Sequence, residues 1–348
     1  MSGTATPFDG KPGGAPPPPG IATAKTPDGY ELPVIDVTDP RFAVADDPVA
    51  TRALYDTFAA GERRRRWIPK FMMRAMLRAA ARQSRLCQAM FMSNAGYLDG
   101  MTTYAMKLGP EHLVPPYDSP MDLRFAASPH VPLLRLRMQQ TARLIADGLV
   151  EHLAAAAGAP LHLINIGGGT ALDSVNALIL LRRDRPDLMR RPVAVHVLDP
   201  SQDGPQFGAN AFAALKADGR PLHGLDAAWQ RHDYDWNAPA ALAKLVRDLA
   251  GTGCVIAASS EGALFEYGSD DAIVANLAAL RQDGVGARLV AGSVTRDDDV
   301  RQRTIATTGF RLIPRGLEGF TPLAARAGFA IAEVAPAWLS DQVLLRPC

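Results

Sequence analysis

The chain has 348 residues, 47% hydrophobic and 21% charged, with a formal net charge of +1. This composition suits a soluble globular protein with a sizeable core, organised as one large domain or two modest ones. It gives no general electrostatic case for nucleic acid, and no run of about 18 uncharged apolar residues suggests a membrane span. The three cysteines, Cys87, Cys254 and Cys348, are widely separated, without ligand-like spacing, as in a reducing compartment.

Residues 1–28 are rich in Pro, Gly, Thr and Ala and are expected to form a disordered tail. They lack the cationic start and apolar stretch of a secretory signal, so the cytoplasm is the expected location. "YELPVIDVTDPRF" follows as a short strand or extended arm.

Residues 29–153 are predicted to be mainly helical and to cap the substrate side of the remainder. "DPVATRALYDTFAAG" opens on an Asp-Pro cap signal and ends on Gly61, and "PKFMMRAMLRAAARQSRLCQAMFM" has almost no helix breaker after Pro69. Arg66, Lys70, Arg74, Arg78 and Arg82 fall at i+4 spacing. Through residues 63–85 this stripe would meet an anionic membrane surface peripherally, collect an acidic or lipid-like substrate, or remain a solvated basic face. Tyr97 and Asp99, in "AGYLDG", suit either a lid or a plain turn. Leu134, Met138, Ala142 and Ile145 then mark a long amphipathic helix.

After Gly158 the pattern alternates between strand and helix. "LHLINI", "VAVHVLD", "AWQRHDY", "GCVIAAS", "ARLVAGS", "FAIAEV" and "QVLLRP" read as seven strands. The helices between them include one after Asn237 and Pro239 and one capped by Ser269, with Asp270 and Asp271 in its first turn. In "TPLAARAG", Pro322 marks a helix start and Gly328 its end. Such alternation implies a mostly parallel sheet covered on both faces. "APAWLSD" is too short for a parallel crossover, so the last two strands must run antiparallel.

Gly167, Gly168 and Gly169 stand where the first of these strands should end and a helix begin, an arrangement that suits a nucleotide. A dinucleotide fingerprint wants a third glycine where this chain has Leu172, which counts against NAD. "NIGGGTA" instead resembles the first motif of the class I S-adenosylmethionine-dependent methyltransferases, small-molecule type, with Asn165 where an acid is usual and Ala171 where a third glycine is usual. An amide there can hold the cofactor's ammonium or a bridging water, without the charge contribution.

The resemblance covers roughly residues 155–348. It implies S-adenosylmethionine as cofactor, with Asp199 accepting the ribose hydroxyls, Asp233, or Asp235 two residues on, taking the adenine amino group, Tyr234 packing on the adenine ring, and Ser259 completing the set beside Asn165 and Gly167–Gly169. In "SEGALFEYGSDD" it places the acceptor near Glu261, Glu266 and Tyr267. A carboxylate there, or His130 ahead of the long helix, would serve as general base, although a capping network or a structural histidine would account for them equally well. No metal site is expected.

The sequence therefore predicts an α/β protein with a Rossmann-like, seven-stranded, mostly parallel sheet and an antiparallel last strand over residues 154–348, plus an N-terminal helical cap. The expected activity is methyl transfer to a small, apolar acceptor. The alternatives are an NAD(P)-dependent oxidoreductase, or a non-catalytic protein of the same fold docking on membrane through its basic helix. The oligomeric state stays open, with a homodimer among the options.

Overall fold

The computed structural model describes residues 19–65, 67–92, 98–282, 286–308 and 310–348. Residues 1–18, Arg66 and Tyr97 lie outside these, as do the side chains of Lys70 and Arg74, so three of the five stripe residues and one half of the expected lid fall outside the described residues, while Arg78 and Arg82 are exposed.

Residues 19–28 of the expected tail belong to the folded structure. β1 (Thr23–Lys25) pairs antiparallel with β2 (Glu31–Pro33), and Leu32, Val34 and Ile35 anchor this hairpin in the main core. Five helices follow: α1 (Pro48–Arg65), α2 (Lys70–Ala81), α3 (Arg85–Met92), α4 (Gly100–Leu108) and α5 (Pro120–Ala126). α1 runs past Gly61, whose helix-interior cost of about 1 kcal/mol does not end it. The helical run after Pro69 is cut at Ser84, whose hydroxyl caps α3 by accepting from Cys87 N and donates to Asp122.

α6 (His130–Ala155) is not part of a separate cap. It packs on α7 (Leu172–Asp184) and on the sheet, and Gly148 lets it approach: a Cβ there would lie 2.9 Å from Leu289 and 3.1 Å from Leu344.

The sheet contains β3 (Leu161–Ile166), β4 (Val193–Leu198), β5 (Ala227–His232), β6 (Val255–Ser260), β7 (Leu289–Thr295), β8 (Phe329–Pro336) and β9 (Ser340–Pro347). The spatial order is β5-β4-β3-β6-β7-β9-β8; β3–β7 run parallel, and β9 is antiparallel to both β7 and β8. The seven strands read from the sequence are all present. A 3₁₀ turn (Pro186–Met189) and α8 (Asp203–Lys216) flank β4, and α9 (Ala240–Ala250) precedes β6. After β6 come α10 (Leu264–Tyr267), α11 (Asp270–Arg281), α12 (Asp299–Thr308) and α13 (Gly316–Arg326).

Ser269 caps α11 as expected, accepting from Ala272 N. α13 starts six residues before Pro322, which therefore lies inside the helix. Alternate residues of β3 point to opposite faces. Leu161 and Leu163 join the core under α6–α8, and Ile164 and Ile166 join the core with α9, α11 and α13.

Candidate active site

The first parallel strand and its turn form as expected. β3 ends at Ile166, and Gly167 and Gly169 take φ of +66° and +58°. Ala171 also lies in the left-handed region, at φ 50°, which is why a glycine suits that position. Leu172 begins α7 and is buried in the core.

Asn165 is turned inward. It is fully buried, accepts from Gly168 N at 3.0 Å, and donates through Nδ2 to Asp173 Oδ1 at 2.8 Å and Ser259 Oγ at 3.1 Å. Its amide is thus used to brace the turn, which corrects the expectation of an ammonium partner. Ser259 belongs to the same buried network with Ser174. Asp173 Oδ2 is buried with no hydrogen-bond partner among the described residues. Burial, and then the charge of Glu261, push the Asp173 carboxyl up to about 6.

Asp199 follows β4, where the sequence put it. Its buried carboxylate accepts from Gly169 N at 3.0 Å and Ser201 N at 2.8 Å, and burial raises its pKa. Two further lone-pair sites remain for a ligand's hydroxyls. Asp233 does not join it: its side chain is exposed, 3.7 Å from Arg231. Nor does Tyr234, whose ring is buried in the opposite core and whose hydroxyl donates to Asn276. The aromatic residue at the turn is instead Trp236, because a Cβ on Gly167 would lie 2.7 Å from its ring.

α4 closes the other side. A Cβ on Gly100 would lie 2.8 Å from Gly169 Cα and 3.5 Å from Gly204 Cα, so three backbones meet with no side chain between them. Asp99 secures this end of α4 by accepting from Thr102 N at 2.8 Å and Thr102 Oγ1 at 2.6 Å, a helix cap.

Beyond β6, Glu261 is buried between Lys107 and Arg137, its two oxygens each taken by one of them. Burial alone would raise its pKa, but the Arg137 and Lys107 charges outweigh that and hold it below the usual range. A carboxylate so committed is a structural ion pair, not a general base, which corrects that assignment. Arg137 Nη1 also meets the buried Glu266 at 3.3 Å. Tyr267 has its hydroxyl pKa raised, chiefly by burial, which favours the protonated form.

Between these elements lies a cavity of ≈ 580 Å³. Met73, Met106, Met121, Phe125, Phe310 and Leu339 supply apolar wall, and His130, Tyr267, Glu266, Arg137 and Arg301 contribute polar groups. His130 starts α6, with Nδ1 2.9 Å from Ser128 Oγ and its ring packed near Phe58 and Phe125. The structure thus brings Glu261, Tyr267 and His130 to the cavity region, and Asn165, Gly167–Gly169, Asp199 and Ser259 to the turn. Asp233 and Tyr234 belong to neither.

Lys107, Arg137, Asp173, Trp236 and Arg301 carried no local sequence signal, since each matters through long-range packing. Among the described residues no cluster of His, Cys, Asp or Glu has metal-binding geometry, and no helix is long and apolar enough to cross a membrane.

The strand order, with the last strand inserted antiparallel between two others, decides the architecture. The chain has the class I S-adenosylmethionine methyltransferase fold. No family model matches the sequence, and no curated protein matches it. Among solved structures, a possible exported protein from Bordetella parapertussis is similar at 15% identity, covering 87% of this chain and 99% of that one, with a TM-score of 0.50. An O-methyltransferase from neocarzinostatin biosynthesis, solved with S-adenosylmethionine and 2-hydroxy-5-methyl naphthoic acid, is 22% identical over 63% of this chain and 58% of that one, at a TM-score of 0.36. The Burkholderia thailandensis 1,6-didemethyltoxoflavin-N1-methyltransferase, solved with its acceptor and S-adenosylhomocysteine, is 15% identical over 60% and 78%, at 0.35. At these identities the likeness is one of fold.

Proposed function

We propose that the protein transfers a methyl group from S-adenosylmethionine to a small, apolar acceptor. One juxtaposition carries this reading: the glycine turn and Asp199 stand at the strand ends, and α4 and the 261–267 segment run from that turn to the apolar cavity. α4 rests Gly100 on Gly169 and lines the cavity with Thr103 and Met106. The segment after β6 puts Ala263 beside Gly167 and lines the cavity with Gly262, Glu266 and Tyr267. Methyl-transferring neighbours of the same fold, solved with S-adenosylmethionine or S-adenosylhomocysteine, agree with this cofactor.

The donor set fits the cofactor. Asp199 keeps acceptor sites for ribose hydroxyls, and the orphaned Oδ2 of Asp173 is an acceptor for an ammonium, in place of the acid that Asn165 does not supply. When bound, S-adenosylmethionine supplies an electrophilic methyl on a sulfonium. The chain's part is orientation and exclusion of water by the apolar walls, with His130 taking the proton when the acceptor is a hydroxyl. Gly100 and Trp236 cover the turn in this conformation, so cofactor entry requires α4 and the Trp236 ring to separate from it.

The test is calorimetric titration with S-adenosylhomocysteine and NAD, on the protein and on Asp199→Asn. The reading expects S-adenosylhomocysteine to bind and Asp199→Asn to weaken it at least tenfold. No heat with S-adenosylhomocysteine, or binding of NAD in its place, overturns it. The closed contact over the turn favours one second reading, a non-catalytic protein that keeps the fold; binding without turnover over a broad acceptor panel would select that reading.

A further inference from the structure

Arg301, on α12, lines the cavity and is 8% exposed. Its Nε is buried with no hydrogen-bond partner, and its guanidinium makes no hydrogen bond or ion pair with any described residue. The nearby carboxylates are already engaged. Glu266 is held by Arg137, and Asp298 accepts Arg301's own backbone N–H through Oδ1 and Tyr55's hydroxyl through Oδ2.

The direct ion pairs isolate the same residue. Lys107 and Arg137 offset Glu261 and Glu266, two cations against two anions in one contiguous network. Arg301 adds a third buried cation with no ion-paired anion. A guanidinium carries five N–H donors in a rigid fork matched to a carboxylate, and a charge buried without a partner is among the costliest arrangements in a protein interior. Burial disfavours its charged form, and the charge of Glu266 offsets this only in part.

The walls around it are of the opposite character. Methionine and phenylalanine side chains form an adaptable apolar surface, and a volume of ≈ 580 Å³ suits one small organic molecule.

We propose that the cavity binds a small apolar carboxylate, its carboxyl group held by the Arg301 guanidinium and its hydrocarbon or aromatic body against the methionine and phenylalanine wall. This rests on the methyl-transfer reading only for the ligand's role as acceptor; the binding itself requires no cofactor.

The experiment is calorimetric titration of the full chain, without cofactor, with decanoate and biphenyl-4-carboxylate and with their neutral amides. At least one carboxylate is expected to bind tenfold or more tightly than its amide. Arg301→Met should bring the two within about twofold of each other while the amide still binds, and Arg301→Lys should keep part of the preference. Equal binding of acid and amide by the unaltered protein, no binding of either carboxylate, or a preference that survives Arg301→Met overturns the proposal. If Arg301→Met does not fold, Arg301→Gln takes its place, and the acid-to-amide ratio of the unaltered protein still decides. Failure of the methyl-transfer reading shows separately, as absence of S-adenosylhomocysteine binding alongside an intact carboxylate preference.

Discussion

Asn165→Asp restores the acid usual in the first methyltransferase motif, and the geometry says that it should harm the protein. Asn165 Nδ2 lies 2.8 Å from Asp173 Oδ1, and both side chains are essentially excluded from solvent. The substitution replaces a donor with a carboxylate oxygen facing another, so one proton must be retained between them. Holding one extra carboxyl protonated costs about 1.4 kcal/mol per pH unit above its ordinary value near 4. That gives a ceiling of about 5 kcal/mol at pH 7.5 and about 1.5 kcal/mol at pH 5.

The sign follows from proton uptake. The folded variant binds a proton that the unfolded chain releases above about pH 4, so its stability falls as pH rises. The unaltered protein shares the tendency more weakly, because its Asp173 is already raised to about 6. The assay is urea unfolding of both proteins at pH 5 and 7.5, with an S-adenosylhomocysteine titration at each pH. A gap between the proteins that widens with pH is expected. Equal stability at pH 7.5, together with tighter cofactor binding, would refute the inward placement of Asn165.

Glu261→Gln removes the charge that Lys107 and Arg137 share, and should destabilise the fold by about 3–5 kcal/mol in urea unfolding; a loss below 1 kcal/mol would return Glu261 to the list of candidate bases. Gly100→Ala puts a Cβ 2.8 Å from Gly169 Cα and should cost about 1–3 kcal/mol despite alanine's better helix propensity, read as a lower melting temperature. His196 bridges His162 at 2.9 Å and His232 at 3.1 Å across three adjacent strands, and burial, with its two histidine neighbours, depresses its pKa to about 3. The unfolded chain takes up a proton near pH 6.5 that the folded protein refuses, so stability should fall by about 2 kcal/mol from this residue between pH 6.5 and 5. His196→Leu should flatten that part of the pH profile measured by chemical unfolding, and an unchanged slope would show that His196 is not its source.

Local pattern was enough to place the seven strands, the cap on α11, the glycine turn and Asp199, because periodicity, glycine punctuation and strand-end position are written in adjacent residues. The antiparallel pairing of β8 and β9 was legible from the short connection alone. That β9 inserts between β7 and β8 was not, since strand order depends on which faces bury each other. The same limit explains the site. Glu261 looks like a free loop acid until Lys107, 154 residues away, and Arg137, 124 away, close on it. Asn165 looks like a ligand-facing substitution until Asp173 and Ser259 are seen to use its amide. Trp236, not Tyr234, reaches the turn because the chain after β5 buries one ring in the core before presenting the next. Sequence by itself determined the seven strands and the glycine turn that ends the first of them. Only tertiary structure decided which buried charges are matched and which, at Arg301, is left without a partner, because charge pairing in a low-dielectric interior depends on distances that no local pattern encodes.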